Sequence, residues 1–385
     1  MTCDVTSVMR DVIAFRHELH QIPEIAGQEQ QTSALIRRRL EALGLTPEKP
    51  LLGTDVVVLI HGGKGPGKNV TLRADIDALA IQEETELPYA SKVPGMMHAC
   101  GHDGHAAMLM GAAQMLLARR SEFAGSVRLI WQPGEENKCM GRDLVAAGVL
   151  ENPYADLTTA LHVAPGRPLG SLGFIVGPSE AATLHFHVKV RGKGGHSSRP
   201  DLCRDPVLAA AAVVMELQNV VSRRISPFEK AVLSVCTVHG GTLPNVIPDE
   251  VELSGTARAL SEEVADLFRK LIPEVSASAA VCHGCTAETI FSAGYALTVN
   301  SPEASEVARN VIQKNFPPEV FQPLETPSMG ADDFAYYTQH HSGVYVKLGA
   351  GASGGLHTCG FRFPDEALEN GVRYFTEFAI AGLQA

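Results

Sequence analysis

The chain has 385 residues, of which 45% are apolar, and a formal charge of -11. That length allows two domains with sizeable cores, and the apolar content excludes a disordered chain. The acidic balance, without any run of Lys or Arg, excludes nucleic acid and an anionic membrane as main partners and leaves a small molecule as the expected ligand.

Residues 1–20 lack the apolar centre of a signal peptide and carry acids, and no apolar run reaches the roughly 18 residues of a spanning helix, which points to the cytoplasm. Eight scattered cysteines read as reduced thiols and metal ligands rather than a secreted disulfide framework. Val8, Val12, Phe15 and Leu19 follow a helical period, as do Leu35, Ile36, Leu40 and Leu43 before Gly44. Residues 55–60 and 70–74 are β-branched runs joined by HGGKGPGKN, a strand, a turn and a strand. The turn matches a phosphate-binding loop only by letters: Asn69 replaces the magnesium-holding Ser/Thr, Pro66 interrupts it, and a strand follows where a helix is required.

The segment HACGHDGH at 98–105 places Cys100 beside three histidines, and a thiolate and an imidazole two positions apart can meet one metal ion where the backbone turns. Ala, Met and Leu surround all sides of 104–119, so a buried helix is expected there with Asp103 as its N-cap. The helix N-terminus favours a thiolate and an anionic substrate.

A strand at 126–131 then leads to QPGEE, a helix spans 142–147, and a strand spans 158–162. This alternation predicts an α/β sheet. Asp75 and Asp77 follow one strand, Glu135 and Glu136 another, and His162 ends a third, so all should converge with Cys100 and His102 outside the carboxyl ends of parallel strands.

From 183 to 191 the alternation is strict, with His185 and His187 on the wet face. Helices at 206–222 and 262–282 and strands at 231–239, 250–259 and 287–291 complete a β-α-β-β-α-β order, a ferredoxin-like domain inserted into the first. Past Tyr295 the α/β pattern returns, with helices at 302–315, 333–339 and 365–381 and a strand at 343–348. GAGASG at 349–354 lacks the helix a dinucleotide site needs and reads as a turn delivering His357. The boundaries are 1–180, 181–293 and 294–385.

Cys100, His102, Glu136, His162 and His357 are thus the candidate ligands. Five exceed one closed tetrahedral site and suit two metals sharing a bridge, roughly 3.5 to 4 Å apart, with an activated water between them. Glu135 or Glu136 could take that water's proton.

These residues lie in motifs that together are specific: FRHELHQIPE (15–24), LRADIDAL (72–79), HACGHDGHAAML (98–109), QPGEE (132–136), ALHV (160–163), RGKGGHSS (191–198), NVIPD (245–249), GTAR (255–258) and SMGADDF (328–334). The chain resembles the dinuclear metallohydrolases of the aminoacylase type, in the branch of hippurate hydrolase and the auxin-conjugate amidohydrolases, over nearly its whole length. The resemblance implies that Cys100 bridges two metals, that His102 and Glu136 complete one site, and that His162 and His357 complete the other. It also implies that Glu135 is the general base, that His196 stabilises the oxyanion, and that Asn245 and Arg258 bind the substrate's carboxylate, with Asp75 and Asp77 supporting the ligands. It further implies that the insertion is a lid through which two copies form a homodimer, His196 completing the partner's site. A guanidinium at Arg258 suits a carboxylate, and the glycines before His196 allow close approach to a ligand.

The chain departs from the family at NKCMG (137–141), at Thr358 and Cys359 after His357, at Asp332 where Glu is commoner, and at Asp201. Cys139 and Cys359, close after ligands, bear on acyl-group specificity. Cys282 and Cys285 read as plain thiols, lacking the second pair of a zinc site. The expected activity is metal-dependent hydrolysis of an N-acyl amino acid, hippurate-like or N-acetyl, to a carboxylate and a free amino acid. A dipeptidase or carboxypeptidase of the same fold is the alternative, and a non-catalytic metal-binding or redox-responsive protein is a third class, which would have no use for Glu135 beside Glu136. Thiolate and imidazole favour zinc, and the family also tolerates manganese, cobalt or nickel.

Overall fold

A computed structural model describes residues 5–385, which divide into two compact units: residues 5–179, 298–326 and 332–385 in the first, and residues 180–297 with 327–331 in the second. The return to the first unit after the insertion is therefore interrupted, since residues 327–331 belong with the second unit.

In the first unit, helices α1 (Thr6–His20) and α2 (Gln30–Ala42) precede strands β1 (Val56–His61) and β2 (Asn69–Asp75). Helix α3 (His102–Ala118), β3 (Ser126–Gln132), β4 (Leu157–Ala164) and the short β5 (Leu172–Gly173) follow. One mixed sheet runs β1, β3, β2, β4, then the later strand 342–349, then β5. Its four central strands, β3, β2, β4 and 342–349, are parallel, so their carboxyl ends share one edge. The runs at 55–60 and 70–74 do not pair with each other. β3 lies between them, antiparallel to β1 and parallel to β2, and the intervening turn arches over the start of β3 with Gly62 N–H donating to Gly125 O and Gly125 N–H to Gly65 O.

Period-two alternation decides which side chains face which layer. Val70, Leu72 and Ala74 of β2 join Val127, Leu129 and Trp131 in the core beneath the helices, while Arg73 and Asp75 point to the other face and are also buried. α3 is buried on every side, so its continuous apolar run reflects enclosure rather than a single seam. Gly111 is required there: an added Cβ would stand 2.7 Å from Val372 and 2.8 Å from Val12.

The second unit contains β6 (Ala182–Arg191), α4 (Pro206–Asn219), β7 (Ala231–His239), β8 (Glu250–Ala259), α5 (Glu262–Val281) and β9 (Thr286–Ser292). The sheet order β9-β6-β8-β7, antiparallel throughout, is the ferredoxin-like arrangement. Leu184, Phe186, Val188 and Val190 form part of its core, while His187 is exposed and His185 partly so. The chain then returns to the first unit through α6 (Pro302–Asn315), β10 (Ser342–Gly349) and α7 (Leu368–Gly382). The helix expected at 333–339 is reduced to Ala335–Thr338, because Asp332 and Asp333 engage buried polar partners instead of beginning a longer helix. Among the described residues no helix is long and apolar enough to cross a membrane.

Asp103 is not the N-cap of α3. The helix begins at His102 after Gly101, whose φ of +83 turns the chain, and Asp103 sits in the first turn with its carboxylate directed away from the helix backbone. There it accepts from Arg16 Nη1 at 2.9 Å and pairs with His20 Nδ1 at 2.8 Å, all three groups buried. Burial opposes charge on His20, but Asp103 and Glu83 outweigh it and raise the ring to about 9. Because this lies above the unfolded value near 6.5, the pairing contributes fully below about pH 6.5 and fades as pH rises through 9. His20→Gln should therefore cost roughly 3 kcal/mol at pH 6, and the deficit should shrink above pH 9. Denaturant titrations across that range test this, and a pH-independent deficit would contradict it.

Candidate metal centre

The carboxyl ends of β2, β3, β4 and β10 supply the loops that meet the start of α3, as strand chemistry in an α/β sheet leads one to expect. Cys100 Sγ is the hub, 3.5 Å from His162 Nε2 and 3.3 Å from His357 Nε2. Glu136 Oε1 stands 3.1 Å from His357 Nε2 and 3.9 Å from His102 Nε2. Two ligand groups contain the thiol, one with His102 and His162 and one with Glu136 and His357.

The donor set fits divalent cations. Ligand bonds of about 2.0 to 2.3 Å at tetrahedral angles put neighbouring donors roughly 3.3 to 3.7 Å apart, close to the separations seen here. His102 Nε2 is buried and makes no hydrogen bond to any described residue, an arrangement that would be costly unless a cation is its partner.

Each ligand is oriented from behind. His102 Nδ1 meets Asp77 Oδ1 at 3.2 Å, and Asp77 Oδ2 accepts the Glu136 N–H at 2.9 Å, so one carboxylate sets both a ring and a backbone. His162 Nδ1 donates to Val163 O at 2.7 Å, which turns Nε2 toward Cys100. His357 has a φ of +60, a left-handed conformation uncommon outside glycine, and its N–H donates to Ala99 O at 2.9 Å.

His105 and Arg73 belong to this support, although no role was expected of them. Val163 N–H donates to His105 Nε2 at 2.9 Å, so Nδ1 carries the proton and donates to Asp75 Oδ1 at 2.6 Å. Arg73 Nη1 donates in turn to Asp75 Oδ2 at 2.7 Å. A histidine and an arginine inside apolar motifs could have signalled these contacts, but their partners lie in other strands. His98 stays outside the ligand set. It is completely enclosed, its ring makes no hydrogen bond to any described residue, and burial drives it down to about 4.

Electrostatics separate the two glutamates. Burial first, then Asp332, Glu136 and Asp333, raise Glu135 well above the carboxylate range, whereas Glu136 is lowered because His357 and His102 outweigh its burial. Cys100 is raised by burial and by Glu136, and His357 is raised to about 10 by its contacts with Cys100 and Glu136. Both therefore carry protons that a cation must displace.

The remaining expected residues lie in the second unit. His196 and Val246 pair across a short antiparallel ladder, and Asn245 O accepts the Ser197 N–H at 3.1 Å, which brings Asn245 beside the histidine loop. His196 Nδ1 accepts from Ser198 N–H at 3.2 Å, leaving Nε2 to carry the proton on an exposed ring. Arg258 Nη1 donates to Met329 O at 2.6 Å. Asp201 is paired on the surface with Arg199 at 2.8 Å.

Residues 71–381 match the model of peptidase family M20/M25/M40. The N-acetylcysteine deacetylase of Bacillus subtilis is 36% identical over 382 residues, covering 97% of each chain. The IAA-amino acid hydrolase ILR1-like 4 of Arabidopsis thaliana is 38% identical over 342 residues, 88% of this chain and 77% of that protein. Among solved structures, a dinuclear metal-binding M20 peptidase of Bacillus subtilis superposes with a TM-score of 0.85 at 33% identity, covering 98% of this chain and 99% of that one.

Loading the centre at pH 7 should release protons from Cys100, His357 and His102, whose ring, against burial, Asp75 and Cys100 raise well above its ordinary value, as read by calorimetry in buffers of different ionisation enthalpy. Cys100→Ala should lose both ions in metal analysis. Equal metal content in wild type and variant, or loading without proton release, would refute the thiol's place at the hub.

Proposed function

The chain belongs to peptidase family M20/M25/M40, and on that premise we propose that it cleaves the amide bond of N-acyl amino acids, releasing a carboxylic acid and a free amino acid. The observation that carries this reading is the convergence of one thiol, one carboxylate and three imidazoles with the second carboxyl group of Glu135. A protein that only stored metal would have no use for that extra group.

Cys100, His102, Glu136, His162 and His357 would hold two divalent cations, the family resemblance assigning His102 and Glu136 to one and His162 and His357 to the other, with Cys100 shared. Zinc suits the thiolate and imidazoles best, and manganese, cobalt or nickel are the alternatives. When bound, the cations supply Lewis acidity toward a water and toward the scissile carbonyl. Glu135 takes the water's proton and passes it to the amide nitrogen as the C–N bond breaks. For that it must be ionised when the substrate arrives, and cations held at the adjacent ligands would offset the burial and the three carboxylates that raise it. His196 donates from Nε2 to the carbonyl oxygen as charge develops, a contact worth about 2.7 to 4 kcal/mol of barrier. Asn245 and Arg258 take the free carboxylate of the amino-acid half.

Two copies associate through the second unit, and His196 acts on the partner's substrate. Support comes from the family resemblance and from the exposed apolar side chains of α4 and the edge strand β7, namely Val207, Leu208, Met215, Val232 and Val238. A thiol ligand and the free thiols of Cys203, Cys282 and Cys285 suit a reducing compartment, the cytoplasm.

A panel of N-acyl amino acids, their amides and unblocked dipeptides, each with zinc, manganese, cobalt or nickel, tests the activity. N-acyl amino acids should be preferred over their amides, and preference for dipeptides would favour the peptidase reading. Glu135→Gln should keep its metal while losing about 10² to 10⁴ in turnover, whereas Glu136→Gln should lose metal first; normal turnover in Glu135→Gln would sink the mechanism. Subunit exchange between inactive His196→Ala and Glu135→Gln homodimers should restore about a quarter of wild-type activity if one site per mixed dimer is intact. No recovery would mean that His196 acts within its own subunit.

A further inference from the structure

The turn that bears Glu135 and Glu136 has little regular structure of its own. β3 ends at Gln132, Gly134 turns at a φ of +65, the helix Glu135–Lys138 lasts four residues, and Cys139 turns again at +52. A helix that short leaves almost all its end groups without internal partners. Gly134 also suits the turn, since a side chain at this φ would be strained and its Cβ would crowd the Met140 side chain. The direction of both carboxyl groups must therefore be set from outside the turn.

Three carboxylates from remote parts of the chain do this through backbone N–H groups. Asp77 accepts from Glu136 at 2.9 Å, Asp333 from Gly141 at 2.8 Å, and Glu29 from Gly134 at 3.0 Å. Asp77 also orients His102, and Asp333 also pairs with Arg73. Glu29, fully buried at the start of α2, spends its bonds differently. Its Oε1 is shared between the N–H groups of Gly27, at 2.7 Å, and Gly134, and its Oε2 accepts the Thr54 hydroxyl at 3.0 Å.

We propose that Glu29 is a positioning residue for the reaction, holding the Gly134 peptide so that the next residue, Glu135, leaves the turn aimed at the attacking water. The proposal rests on the reading of Glu135 as general base. A carboxylate that touches neither substrate nor cation thereby sets the geometry of proton transfer, and a misplacement of about 1 Å in such a group can cost on the order of 100-fold in rate.

Three variants of the full chain separate geometry from charge and from folding. Glu29→Asp keeps the charge but withdraws the acceptor by one C–C bond, about 1.5 Å. Glu29→Gln keeps an acceptor oxygen for Gly134 and loses the charge. Thr54→Val removes only the donor to Oε2. For each, kcat, KM, zinc content, thermal unfolding and hydrogen exchange of residues 133–141 are measured. Glu29→Asp should lower kcat about 10- to 100-fold with KM within about threefold, zinc content unchanged and exchange at Gly134 accelerated. Glu29→Gln should recover most of the rate, and Thr54→Val should match wild type.

Wild-type kcat and exchange in Glu29→Asp would overturn the proposal, as would zinc loss in step with activity, or a Glu29→Gln variant as impaired as Glu29→Asp. The wild type alone provides a check that needs no variant to fold: the Gly134 amide should be protected at least about 100-fold, and exchange at the rate of an open loop would refute the assignment. If the wild type cleaves no N-acyl amino acid, the functional reading fails, while exchange at 133–141 in wild type and variants still decides the role of Glu29.

Discussion

Arg73 lies fully buried with its guanidinium 2.7 Å from Asp75, 3.3 Å from Asp332 and 2.6 Å from Asp333. One permanent positive charge thus faces three carboxylates, with Glu135 grouped beside Asp332 and Asp333. Burial pushes Asp333 up to about 7 even though Arg73 pulls it down, and the same crowding raises Glu135. Removing one partner from such a cluster leaves a buried charge without compensation, which costs more than the pair contributes when intact. Divalent cations at the neighbouring ligands are the natural counterweight. On this face of the sheet Arg73 and its carboxylates therefore sit beside a small apolar cluster that includes Ile130, Ala160, Phe334 and Tyr345, whereas the layer beneath α3 belongs to the larger apolar core.

The same carboxylates convert charge into geometry. Asp75 takes the proton-bearing nitrogen of His105, whose other nitrogen holds the Val163 N–H next to His162. Asp77 joins His102 to the Glu136 backbone, and Asp333 joins Gln132 to Gly141. Asp332 accepts from the Tyr345 hydroxyl at 2.5 Å and from the Phe334 N–H at 2.7 Å, so the departure from Glu at this position still meets two donors. Preorganisation of this kind matters because a ligand held by its support need not be ordered when the cation or substrate arrives.

The two cysteines that follow ligands closely also find places in the turns. Cys139 occupies a left-handed position after the glutamate turn and is buried. Cys359 donates its thiol to Glu84 Oε2 at 3.2 Å, and its carbonyl accepts the Glu84 N–H, tying the His357 loop to the segment after β2. Both therefore bear on how the ligand loops are shaped. A similar correction applies to Asp103, whose position suggests a cap until its partners on α1 are seen.

Much was legible in the sequence because it is local. Strict alternation marked β6, helical period marked α1 and α2, and the clustering of Cys100 and His102 before a buried helix pointed to metal chemistry. The order of elements in the second unit followed from the same periodicities, and its sheet order agrees with it. Tertiary structure alone decided which strand separates β1 from β2, since a short turn between two strands does not reveal whether a third will pair between them. It alone placed residues 327–331 with the second unit, and it alone found the partners of Arg73, His105, Asp103 and Glu29. Most of those bonds join residues tens to hundreds of positions apart, as Arg73 and Asp333 do across 260 positions. Periodicity and spacing carry information over a few turns or strands, whereas a buried charge chooses its partner from whatever the folded chain brings within hydrogen-bonding distance.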